Sequence, residues 1–138
     1  MADQPLTQQV WQRAGACCEY CRMPQEFDPL PFQIDHIIAR KHGGAATVEN
    51  LALACFPCNN HKGPNIAGID PVTEEITRLF HPRRDDWPEH FMWHGPDLFG
   101  QTPIGRTTVA VLSINLPRRV MLRRALTEEG VFPVRFRP

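Results

Sequence analysis

Two Cys-x-x-Cys pairs, Cys18-Glu19-Tyr20-Cys21 and Cys55-Phe56-Pro57-Cys58, constrain this chain more than any other feature. Each pair puts two thiolates on one tight turn, and two pairs complete the four-sulfur tetrahedron of a closed zinc site. One such pair is also compatible with redox chemistry. Two pairs bracketing residues 22–54 favour a structural metal over buried free thiols, with zinc ahead of iron. Cys17 is left out, because its partner at that spacing would be Tyr20. With 14 prolines and nine glycines the chain predicts short elements and many turns. In such a fold a metal staple contributes folding free energy directly.

The remaining bounds are broad. The 138 residues suit one domain. No window carries a run of about 18 apolar residues, so no membrane span is expected. Met1-Ala2-Asp3-Gln4-Pro5 has neither a basic start nor an apolar stretch, which predicts a cytoplasmic protein with reduced thiols. Lys+Arg and Asp+Glu both number 15, so strong unspecific attraction to a polyanion is not expected. The arginines nonetheless gather towards the end: seven lie between Gln101 and Pro138, against Glu128 and Glu129 alone.

In chain order, Leu6, Val10, Trp11 and Ala14 predict an amphipathic helix, with Asp3 as its cap and Gly15 as its end. Phe32 to Ile38 reads as a strand, Gly43-Gly44 as a turn, and Val48 to Ala54 as a second, irregular strand. A helix is expected to start around Cys55–Pro57 and to stop at Gly63-Pro64. Ile69 to Phe80 and Phe91 to Gly100 each read as a hairpin. Thr102-Pro103 opens a helix, and Asn115 with Pro117 opens the last one, which Gly130 ends. The expected fold is α+β: a β-turn-β-α core held by zinc, an N-terminal helix, added hairpins and C-terminal helices. The divisions are 15–66 for the core, 67–100 for the hairpin region and 101–138 for the helical region.

The residues between the knuckles carry the chemistry. His36 offers an imidazole that is largely neutral at pH 7, suited to general-base work. Asp35 and Asn59 offer hard oxygen ligands for Mg²⁺ or Mn²⁺. Adjacent residues of a regular strand point to opposite faces, so Asp35 and His36 need local irregularity to meet one phosphate. Asp35-His36-Ile37-Ile38, Gly43-Gly44, Glu49-Asn50-Leu51-Ala52-Leu53 and Cys55-Phe56-Pro57-Cys58-Asn59-Asn60-His61-Lys62-Gly63 stand in this order. Together with the first knuckle, the set over about residues 15–66 resembles the HNH endonuclease family, the ββα-metal nucleases with a treble-clef-like zinc core. The resemblance implies that His36 activates water, that Asp35 and Asn59 hold a divalent cation, and that Asn50 orients His36. His61 is a possible third ligand of that cation, although an ideal helix turns it away from Asn59.

The partner implied is nucleic acid, most readily DNA. Candidate contacts are Lys62, Arg40-Lys41-His42, Arg83-Arg84, and Arg118, Arg119, Arg123 and Arg124, with Arg119, Arg123 and Arg124 placed opposite the apolar stripe Met121, Leu122, Ala125 and Leu126. Trp87, Phe91 and Trp93 suit core packing better than base stacking. Two alternatives stay open: a zinc-stabilised nucleic-acid-binding module without catalysis, and a nuclease acting mainly on RNA.

Overall fold

A computed structural model describes residues 4–134. Asp3, the expected cap of the first helix, lies outside them. Helix α1 spans Gln4–Ala14. It buries Val10 and Ala14, and its Arg13 guanidinium donates to Val48 O (2.8 Å) and Leu51 O (2.6 Å). The helix is thereby tied to the start of the second strand.

Strands β1 (Gln33–His36) and β2 (Leu51–Ala54) pair antiparallel. Both are shorter than the sequence suggests. Beyond His36, Ile37 N–H bonds to Asn50 O (2.8 Å) and the chain leaves the ladder for a loop. Residues Val48–Asn50 form a 3-10 turn rather than strand. The register places Gln33 and Asp35 on one face with Ala54 and Ala52, and Ile34 and His36 on the other with Leu53 and Leu51. Small alanines on the first face leave room for helix α2 (Phe56–Lys62). Cys55 caps α2, Pro57 sits in its first turn, and Gly63 stops it.

Both predicted hairpins form. Strands β3 (Ala67–Ile69) and β4 (Ile76–Arg78) pair around the turn 70–75. Helix α3 (Trp87–His90) was not legible in the pattern, being a single turn. Strands β5 (Phe91–His94) and β6 (Asp97–Gly100) follow. Helix α4 (Pro103–Val111) starts at Thr102, whose hydroxyl accepts from Gly105 N–H (3.0 Å). Both hairpins rest on α4. A Cβ on Gly100 would stand 2.3 Å from Arg106 N, so only glycine allows that backbone approach. Phe80 N–H donates to the Thr108 hydroxyl (2.8 Å), and Asp70 binds Arg106.

Helix α5 (Pro117–Glu128) forms where expected, with Leu126 buried and Arg124 exposed as expected, but its buried face is rotated to take in two arginines. Arg119 and Arg123 are buried beside Leu126, whereas Met121 is 67% exposed. The acceptors decide the orientation. Arg119 meets Asp28 at 2.8 Å, and Arg123 donates to Pro96 O (2.7 Å), Ile114 O (3.1 Å) and Asn115 Oδ1 (2.8 Å). Long arginine stems bury well when the head finds acceptors, and of the Arg123 head only Nη1 is without one among the described residues. Phe91 packs with Trp87, and Trp93 with Phe132 and Trp87, so these aromatics are packing residues as expected.

Candidate functional site

The first element of the site is the cysteine cluster. Cys18, Cys21, Cys55 and Cys58 are buried, and their four Sγ atoms lie within 4.8 Å of one another. A tetrahedral site with zinc–sulfur bonds of about 2.3 Å has edges of about 3.8 Å. Cys21 Sγ and Cys55 Sγ stand 3.7 Å apart, so the cage has the size of a zinc tetrathiolate. In each knuckle the amide of the second cysteine points at the first sulfur: Cys21 N to Cys18 Sγ and Cys58 N to Cys55 Sγ, both 3.5 Å. Hydrogen bonds from Cys18, Cys55 and Cys58 hold the Cys21 thiol low, and the nearby Arg119 charge adds to this. Cys17 is buried outside the cluster, and its thiol is raised by that burial.

The second element is the junction of β1 with α2. Asp35 points to the α2 side, and only 5% of it is exposed. Its Oδ2 accepts from the Tyr20 hydroxyl at 2.7 Å. Lys62 Nζ stands 3.1 Å from Oδ2 and 3.3 Å from Oδ1, and also donates to His36 O at 3.0 Å. Burial raises the Asp35 carboxyl above its usual range, with Lys62 opposing the shift. The Tyr20 phenol is raised strongly, first by burial and then by Asp35, so it stays a donor. The expectation that Lys62 reaches outward to phosphate is therefore corrected. Its ammonium is 1% exposed and is spent on a buried carboxylate that needs a counter-charge.

His36 ends β1 on the opposite face, half-buried. Arg40 Nε donates to its Nε2 at 3.4 Å. Burial, then the Arg40 charge, lower its pKa, so the imidazole is neutral at pH 7 with Nε2 as the bare nitrogen. The hydrogen bonds of the Asn50 side chain go to residues other than His36. It clamps the loop that follows: Oδ1 accepts from Ile38 N–H (2.9 Å), and Nδ2 donates to Ile38 O (3.0 Å) and Ala45 O (2.9 Å). Gly44 lies inside this clamp, where a Cβ would stand 1.7 Å from Ile38 O. Asn59 is half-buried, with Nδ2 donating to Gln33 Oε1 and its Oδ1 taking no donor among the described residues. His61 is exposed one residue before Lys62.

By donor type Asp35 and Asn59 fit a hard cation. A carboxylate offers about four lone-pair sites. Tyr20 and Lys62 take most of those on Asp35, whereas Asn59 keeps its oxygen open. Outside this junction, Arg40, Lys41 and Arg124 are exposed, as a surface role needs, while Arg119 and Arg123 are enclosed. Sequence reasoning missed two partners. Gln33 had a signal, since it lies two residues before Asp35 and so shares its strand face. Tyr20 had none, because its position in the knuckle does not say where its hydroxyl ends.

Residues 18–65 match the family described as HNH endonuclease. No curated protein and no solved structure matches the chain.

Proposed function

We propose that this protein, whose residues 18–65 match the HNH endonuclease family, is a metal-dependent endonuclease hydrolysing phosphodiester bonds in DNA. The observation that carries the reading is the neutral imidazole at the end of β1, with the open carboxamide oxygen of Asn59 on the α2 side, across the strand from it. Once Arg40 turns from Nε2 to the substrate phosphate, His36 Nε2 takes a proton from water as the water oxygen bonds to phosphorus, and the sugar oxygen departs with the bonding electron pair and is protonated from solvent. Burial and Arg40 serve that step by keeping the nitrogen unprotonated. Asn50 positions the imidazole through the backbone of Ile37 and Ile38. Asp35 and Asn59 would hold Mg²⁺ or Mn²⁺, which neutralises charge on the phosphoryl oxygens when bound. His61 is a third candidate for that ion. Arg40, Lys41 and Arg124 are the candidate backbone contacts.

One observation favours a second reading, a binding module without catalysis: Lys62 and Tyr20 already occupy the Asp35 carboxylate. A cleavage assay separates the two. Plasmid, linear duplex, single-stranded DNA and RNA are incubated with Mg²⁺, Mn²⁺ or EDTA. Cation-dependent nicking or linearisation of DNA is expected, and preferential loss of RNA would move the substrate class. Absence of cleavage of every polymer with either cation sinks the nuclease reading.

A further inference from the structure

Beside the β1–α2 junction lies a cleft of about 320 Å³. Ile37, Ile38 and Ile66 form its apolar part, and Arg78, His81 and Arg84 come from β4 and the segment after it. Lys62 also lines it. The cleft begins at the residue directly after His36, and its basic residues lie outside the matched residues 18–65. None of the lining residues is acidic. Asp85 stands behind Arg78, bonded to both guanidinium nitrogens at 2.7 and 2.8 Å, and holds it in place. Arg84 is exposed and makes no ion pair among the described residues. His81 accepts from Arg83 N–H at Nδ1 (3.1 Å), which leaves Nε2–H as a donor.

A basic rim over an apolar floor, one residue from a proposed general base, suits one ligand chemistry: an anionic group joined to a flat or weakly polar body. We propose that this cleft is a nucleotide subsite for the nucleic-acid substrate. Arg84, with Arg78 and His81, takes the phosphate, and the isoleucines pack under the sugar or base. The proposal rests on the nuclease reading for the identity of the ligand, but it is tested by binding alone.

The test is fluorescence anisotropy with labelled single-stranded and duplex DNA oligonucleotides, over a salt series, without added divalent cation. Arg84→Glu should weaken binding about tenfold and lower the slope of log affinity against log salt by about 1. Ile66→Ser, a neutral change at an exposed position, should weaken binding without lowering that slope. Thermal melting of both variants should match the wild type. Wild-type protein that binds through the cleft and cuts no polymer would defeat the nuclease reading and leave the subsite standing. Wild-type affinity in Arg84→Glu overturns the subsite even if the enzyme cuts DNA. So does equal competition by an acidic peptide, which would report net charge alone. Failure of the wild type to bind either oligonucleotide overturns it as well.

Discussion

Asp35 and Lys62 neutralise each other in a place almost closed to water, with 5% and 1% of each exposed. Two buried charges of this kind offset their lost hydration mainly through each other, so removing one is worse than removing both. Lys62→Met should lower unfolding free energy by about 3–5 kcal/mol, and Asp35→Asn in the same chain should recover most of it. Urea denaturation of the two variants is the check, and equal loss in both would mean that Lys62 acts through packing alone. His36 stands differently. It is half-buried, and Arg40 is its side-chain partner. His36→Ala should leave melting unchanged while lowering cleavage by about 10²–10⁴-fold, the usual worth of a positioned base. Early melting of that variant would make His36 a packing residue.

At the scale of elements, the β3–β4 hairpin is held to α4 by one carboxylate. Asp70 is fully buried and accepts from Arg106 at 3.0 and 2.8 Å, from Val72 N–H at 3.0 Å and from the Thr73 hydroxyl at 3.0 Å. The Arg106 hydrogen bonds, aided by Val72 and Thr73, outweigh burial and hold its pKa well below the usual range. A depressed folded value means that the unfolded chain takes up the proton first. The stabilisation is complete above the unfolded value of about 4 and is lost as pH falls from there towards the folded one. Melting temperature should therefore fall below about pH 4, and Asp70→Asn should flatten that fall while lowering the plateau at neutral pH. An unchanged acid limb in the variant would assign the loss to other carboxylates. The same hairpin ends beside the proposed subsite, so its anchorage bears on function as well as stability.

For the whole molecule, the cysteine cluster joins the loop after α1 to the start of α2, and the buried arginines of α5 lie within its electrostatic reach. Four thiolates around one divalent ion leave a net charge of about −2, which the guanidiniums of Arg119 and Arg123 oppose. Metal analysis of the folded protein should return one zinc per chain. Cys58→Ser should lose it and melt well below the wild type, whereas Cys17→Ser should keep it. Folded protein without zinc or iron would contradict the staple.

The sequence by itself determined the parts whose physics is local. Cysteine spacing specifies the staple, Gly63-Pro64 ends α2, and Thr102-Pro103 opens α4, because each depends on backbone geometry within a few residues. Period two in β1 likewise separates Asp35 from His36 and joins Asp35 to Gln33. What the tertiary structure alone decided was where the long charged side chains end. Lys62 and Arg84 look alike as surface cations in a sequence, and so do Arg123 and Arg124. Lys62 and Arg123 turned inward because a carboxylate from β1 and carbonyls from distant loops needed donors. Arg84 and Arg124 stayed outside. A flexible stem lets the same residue type satisfy either demand, so its direction is settled by acceptors that only the folded chain brings within reach.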